Sequence, residues 1–289
     1  MKTLTYTALI TPFKNNKIDE NALEKIIENQ ISNGVDGIVP CGTTGECPTL
    51  SHKEHLLVIE ISTKIVNKRI KVMAGTGSNC TNEAIEMTNQ AKKLNVDSCL
   101  IVSPYYNKPS QHGIFLHFQE LNKCDIPLVI YNIPGRSVVN INDETLAKIA
   151  ELKNVIGIKD ATGDLARLAN LRTLIKKEFL YLSGEDATAV GFNAMGGNGV
   201  ISVTSNIAPK LVSDLQKLCQ KQDYQGALKI QDQLTNLHNA MFTETNPIPV
   251  KYAMSLLGLS SDEIRLPLCH PSEANKERIK TEMKKLKLI

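Results

Sequence analysis

The chain has 289 residues, 42% of them hydrophobic and 22% charged, with a formal net charge of +3. That is enough chain for one large core, and the small charge argues against nucleic acid as a partner. No apolar run approaches the roughly 20 residues of a membrane span, and the start, M-K-T-L-T-Y-T-A-L-I-T-P, lacks a leader-like apolar stretch, so no membrane is expected.

In chain order, an apolar strand at 4–9 leads into a helix whose Leu23, Ile26, Ile27 and Ile31 share one face, with Gly34 as its stop. A strand at 37–39 follows. Ser51-His-Lys-Glu54 then has the form of a capping box, ahead of Leu56, Leu57, Ile59 and Ile61. Strand 72–74 precedes a helix from Thr81 that carries Ala84, Ile85, Thr88, Ala91 and Leu94. Strands at 98–102 and 128–131 come next, and Asn142 caps a helix through Leu146 and Ile149. Strand 155–158 is followed by an Asp164-capped helix through Leu165, Leu168 and Leu171, then by strands 180–183 and 200–203. Gly196-Gly-Asn-Gly199 precedes the last strand, whereas barrel phosphate sites follow strands, so tight packing explains it better than phosphate.

The strands are too apolar to be half-exposed, as in a parallel sheet covered on both faces. Eight of them, each followed by a helix signal, predict an α/β fold: a (β/α)8 TIM barrel over residues 1–220, with a C-terminal helical extension over 221–289. The extension has helical patterns at 224–241, 250–257 and 274–288. An open doubly wound sheet is the competing reading, but Gly75-Thr-Gly77-Ser-Asn-Cys80 lacks the third glycine of a dinucleotide site. Seven scattered cysteines without C-x-x-C read as reduced thiols, and hence as a cytoplasmic protein.

Parallel barrels collect their chemistry at the C-terminal strand ends. Those ends read C-G-T-T-G-E (41–46), S-P-Y-Y-N (103–107), Y-N-I-P-G-R (131–136), K-D-A-T-G (159–163), S-G-E-D (183–186) and S-V-T-S-N (202–206). They hold an amine, phenols, threonine hydroxyls and a guanidinium. Histidine is absent from them, so no metal centre and no cofactor is expected. An amine that attacks a carbonyl to form an imine needs neither.

Lys159 is the one lysine at such an end. Lys71 opens its strand, Lys108 lies in a loop and Lys251 on a helix. Burial disfavours an ammonium and raises its neutral, nucleophilic fraction. On position alone a snorkelling side chain explains Lys159 equally well, but its neighbours favour a nucleophile. Tyr131 ends the adjacent strand, and Thr43 and Tyr106 are candidates for relaying the protons of imine formation. Gly42-Thr-Thr-Gly45 is suited to present N–H groups to a carboxylate, and Arg136 to bind a second one.

Taken with A-L-I-T-P-F (8–13), A-G-T-G (74–77), G-V-I-S-V-T-S-N (199–206) and N-P-I-P-V-K (246–251), these motifs resemble the pyruvate-dependent class I aldolases and lyases of the dihydrodipicolinate synthase family over nearly the whole chain. The resemblance implies that Lys159 forms an imine with pyruvate and that Tyr131, Thr43 and Tyr106 relay protons, Tyr106 into a neighbouring subunit's site. It implies that Thr44 holds the pyruvate carboxylate, that Ile201 and Gly184 line the substrate pocket, and that Arg136 binds aspartate semialdehyde. The product would be 4-hydroxy-tetrahydrodipicolinate, on the route to diaminopimelate and lysine, made by a homotetramer of tight dimers. Relatives that cleave N-acetylneuraminate or keto-deoxy sugar acids share the lysine and tyrosine, and Arg136 with P-Y-Y-N favours the synthase. Asp160 stands where the family usually carries glutamate. The resemblance further implies a feedback site for lysine at His52, His55, Asn79, Glu83 and Tyr105. The helical pattern itself makes the two histidines solvated.

Overall fold

The eight apolar runs pair edge to edge into one closed parallel barrel in a computed structural model that describes residues 3–289. The strands are β1 (Leu4–Ala8), β2 (Gly37–Val39), β3 (Lys71–Gly75), β4 (Ser98–Val102), β5 (Leu128–Asn132), β6 (Val155–Asp160), β7 (Leu180–Ser183) and β8 (Gly199–Ser202). Each pairs with its sequence neighbours, and β8 closes the ring on β1 through Tyr6 opposite Ile201. Parallel neighbours need a crossover, and a helix supplies each one. These are α1 (Glu20–Ser32), α2 (His52–Val66), α3 (Thr81–Lys93), α4 (Gln111–Leu121), α5 (Asp143–Ala150), α6 (Leu165–Leu174) and α7 (Ala189–Ala194), with α8 (Pro209–Gln220) after the last strand.

The caps form where the side chains allow. Ser51 and Glu54 make the reciprocal capping box of α2, Asn142 accepts from the Thr145 amide, and Asp164 accepts from Ala166 and Arg167. A two-stranded antiparallel hairpin of Phe13–Lys14 and Lys17–Ile18, not expected from the sequence, follows β1. Gly199 has a φ of +119° and brings its backbone so close to Leu4 that a Cβ there would sit 2.0 Å from the Leu4 carbonyl oxygen. The glycine cluster before β8 is thus a packing feature of barrel closure.

Two expectations need correcting. Strand β6 does not stop at Ile158 but runs on through Lys159 and Asp160, with Tyr131 opposite Lys159 and Asn132 opposite Asp160. And α2 buries His55, Val58, Ile59, Ser62 and Val66, so His55 is a core-facing residue while only His52 is solvated. Neutral imidazole accounts for this: it tolerates burial when a ring nitrogen finds a partner, here the Gly75 carbonyl at 2.7 Å.

The C-terminal helices are α9 (Tyr224–Ala240), α10 (Ile248–Leu256) and α11 (Glu273–Lys285). Leu234, Leu237, Met254, Ile279 and Met283 are fully buried in the same continuous core as the barrel residues. Segment 221–289 therefore packs as part of the barrel's own core, and the loops on either side of α10 reach the C-terminal strand ends.

Candidate active site

A cavity of about 300 Å³ opens at the C-terminal strand ends. Thr43, Tyr131, Arg136 and Tyr105 line it, together with Asn246, Pro247 and Leu268 from the C-terminal segment. Lys159 is 6% exposed, and its Nζ stands 4.3 Å from the centre of the Tyr131 ring. Successive strand residues face opposite sides, so Lys159 and Tyr131 point into the barrel while Asn132 and Asp160 point at the helices. An amine held over a phenol ring keeps a cation–π contact when charged, which lessens the burden of burying it.

The C-G-T-T-G-E loop is wound tightly. The amides of Gly45 and Glu46 donate to the carbonyls of Gly42 and Thr43, whereas those of Thr43 and Thr44 take no partner among the described residues. Two amides in one turn make an anion-binding concavity. Thr44 is buried, and its hydroxyl meets the Asn246 side-chain amide at 3.0 Å. Arg136 sits in a single helical turn, Pro134–Ser137, and anchors one Nη on the Asn246 carbonyl at 2.8 Å, with the rest of the guanidinium at the cavity.

Lys159, Thr44, Ile201, Gly184 and Tyr106 are not among the residues that line the cavity. Ile201 is fully buried on β8. Gly184 donates its amide to the Asp160 carbonyl at 2.6 Å, and a Cβ there would lie 2.6 Å from that of Ala161, so only glycine lets β7 pass the end of β6. Tyr106 is not gathered in: it is 88% exposed, with a φ of +70°. His52, Glu83 and Ser78 form a chain, with His52 Nε2 2.7 Å from Glu83 Oε1, and the Ser78 hydroxyl bound to Glu83 holds that carboxyl below its usual range. His55 is close behind, its pKa lowered by burial, and Tyr105 and Asn79 flank the group.

Three features are not apparent from the sequence. Asn246 joins Thr44 to Arg136; its motif is visible, but nothing in one sequence says that residue 246 returns to strand 2. Lys251 is not merely helical but 1% exposed and paired with buried Glu46; a lysine in the apolar helix I-P-V-K-Y-A-M is the one signal of this. Glu185, after β7, has its carboxyl pKa raised by burial and by Asp186, with the charge of Lys159 pulling the other way.

Comparisons with known proteins agree with one another. The family profile described as "Dihydrodipicolinate synthetase family" matches residues 2–286. The 4-hydroxy-tetrahydrodipicolinate synthase of Parvibaculum lavamentivorans is 54% identical over 286 residues, covering 99% of this chain and 98% of that protein. A solved dihydrodipicolinate synthase from Acinetobacter baumannii, described as chloride-inhibited and complexed with pyruvate, superposes with a TM-score of 0.97 at 42% identity over 100% of both chains. The enzyme of Cyanidioschyzon merolae, solved with lysine bound, gives 0.96 at 35% identity over 99% of both.

Proposed function

The chain belongs to the dihydrodipicolinate synthetase family, and from that premise we propose that it condenses pyruvate with L-aspartate-4-semialdehyde to 4-hydroxy-tetrahydrodipicolinate through a Lys159 imine. The observation that carries this reading is the buried Lys159 amine over the Tyr131 ring, beside a cavity that offers Arg136 for a second carboxylate.

The neutral amine of Lys159 adds to the pyruvate ketone, and the carbinolamine loses water to give an imine. Each step moves a proton at the substrate oxygen, a role that falls to Tyr131 with Thr43 and, from a neighbouring subunit, Tyr106. The imine withdraws electrons as a metal would from a ketone, so loss of a methyl proton yields the enamine without a cofactor. The enamine carbon then attacks the aldehyde of aspartate semialdehyde, and the amine of that substrate displaces Lys159 to close the ring. Thr44 and the free amides of its turn take the pyruvate carboxylate, Arg136 takes that of the aldehyde, and Ile201 and Gly184 bound the space between.

A sugar-acid aldolase would use the same lysine and tyrosine, but the name of the 54%-identical relative and the guanidinium at the cavity favour condensation. An exposed Tyr106, four residues past β4, supports an assembly of tight dimers, to which the family resemblance adds a homotetramer, and the seven free thiols support a cytoplasmic setting. No helix among the described residues is long and apolar enough to cross a membrane. The cluster of His52, His55, Asn79, Glu83 and Tyr105 supports a lysine-binding site: Glu83 is held ionised, ready for an ammonium. Titration calorimetry with millimolar lysine tests it, and no heat together with no inhibition would remove it.

Borohydride reduction in the presence of pyruvate should leave a mass increment on Lys159. The Arg136→Ala variant should keep that adduct while losing affinity for aspartate semialdehyde in a coupled assay. An unmodified Lys159 in the folded protein refutes the reading.

A further inference from the structure

We infer that Asn246 is a positioning residue which sets the direction of the Thr44 hydroxyl, so that this hydroxyl donates to the carboxylate of the first substrate. The inference rests on the assignment of pyruvate to the Thr44 loop.

Asn246 lies far from Thr44 in the chain, yet the two side chains meet at 3.0 Å, Nδ2 donating to Oγ1. Both residues are buried, Asn246 at 6% exposure and Thr44 at 3%, so water does not exchange freely for this bond. A hydroxyl has one hydrogen and two lone pairs. When Oγ1 accepts from Asn246, its own hydrogen must point elsewhere. A carboxylate is an obligate acceptor and needs that hydrogen. The same amide turned over would accept from Thr44 instead and leave the threonine with nothing to donate. Asn246 Oδ1 has no hydrogen-bond partner among the described residues, so the side chain is tied to the site through the Nδ2 bond to Thr44 alone.

The main chain of Asn246 does a separate job. Its carbonyl accepts from Arg136 Nη2 at 2.8 Å, a bond that survives any change of side chain. Side-chain substitutions at 246 should therefore affect the first substrate and spare the second.

The test compares Asn246→Asp with Asn246→Ala. Aspartate has the same shape but only accepts, so it draws the Thr44 hydrogen back and sets a negative charge beside the carboxylate subsite. Alanine merely frees the hydroxyl to rotate. Pyruvate affinity, read from the concentration dependence of borohydride trapping without any aldehyde, should fall about tenfold or more in Asn246→Asp and only a few-fold in Asn246→Ala. The KM for aspartate semialdehyde should stay within about twofold of wild type in Asn246→Ala. A residue that only fills space predicts the reverse order, alanine worse than the isosteric aspartate, and that order would overturn the inference, as would equal pyruvate affinity in all three proteins. Should Asn246→Asp not fold, Thr44→Val carries the test: on that background Asn246→Ala should cost no further pyruvate affinity, and an undiminished loss overturns it. A wild-type protein that traps no pyruvate instead refutes the functional reading, and the inference falls with it.

Discussion

Lys251 Nζ lies 2.5 Å from Glu46 Oε1, and neither side chain is more than 1% exposed. The pair fastens α10 to the loop that carries Thr43 and Thr44. Glu46 closes that loop with a φ of +54°, a left-handed conformation that a non-glycine residue adopts only when held there. Its other oxygen accepts the Arg265 amide at 3.2 Å, and the centre of the Phe13 ring lies 4.1 Å from Lys251 Nζ and 4.2 Å from the Arg265 guanidinium carbon. Burial pulls the Lys251 pKa down while Glu46 opposes it. Lys251→Met should strand the carboxylate and destabilise the fold by about 3–5 kcal/mol, the usual consequence of leaving one buried charge alone. Lys251→Met combined with Glu46→Gln should recover part of that loss. Urea denaturation of the three variants measures both, and a double variant no better than the single one would show that the charge is not the cause.

Arg167 works on the outer side of the two strands that hold Lys159 and Tyr131. It is 5% exposed, with Nε donating to Asp143 at 2.9 Å, Nη1 donating to Asn140 at 3.0 Å and standing 3.4 Å from Asp160, and Nη2 donating to the Ile141 carbonyl. Asn140 in turn accepts from Asn132. The residues after Tyr131 and after Lys159 are thus gathered by one guanidinium. Arg167→Met should slow adduct formation at Lys159 by an order of magnitude or so, about 1.4 kcal/mol of lost positioning, with little change in the KM for aspartate semialdehyde. Arg167→Lys should restore only part, because a single ammonium cannot reproduce the fork. Single-turnover trapping on variants with wild-type circular dichroism separates this from unfolding; an unchanged trapping rate would refute it.

The barrel is legible in the sequence because most of its strands are short apolar runs and several of the following helices carry a recognisable cap, at Ser51, Asn142 and Asp164, so local signals and the global fold agree. Lys159 and Tyr131 are legible for the same reason: each lies one residue from the C-terminal end of its strand, the two strands are adjacent, and strand order follows sequence order. What stays hidden depends on contacts that no local pattern encodes. The helical pattern makes His55 look solvated because a histidine beside His52 carries no sign of the Gly75 carbonyl it meets. Asn246 and Lys251 return from the far end of the chain to a loop about 200 residues earlier. Asp160, set apart in the sequence only by its type, is a local anchor: one oxygen accepts from the amide and the hydroxyl of Thr162, and the other has only the distant Arg167 contact.

His117 supplies a pH dependence of stability. It lies on α4 and is 4% exposed, with Nδ1 3.0 Å from the hydroxyl of Thr81 on α3 and Nε2 without a partner among the described residues. Burial lowers its pKa from 6.5 to about 4. In the unfolded chain the ring takes a proton as pH falls through 6.5, while in the folded protein it stays neutral until about 4. The unfolded state therefore binds more protons across that window, and stability falls as the pH is lowered through it. The shift corresponds to a loss on the order of 3 kcal/mol, complete only below the folded pKa and absent above neutral pH. His55 and His238, also buried and also lowered, add to the same slope. Guanidinium unfolding of the wild type should therefore show a falling midpoint between pH 6.5 and 4. The His117→Gln variant, which cannot titrate, should lose stability at neutral pH from imperfect packing but show a shallower slope in that window. Parallel slopes for the two proteins would mean that His117 is protonated in the native state at a pH close to its unfolded value.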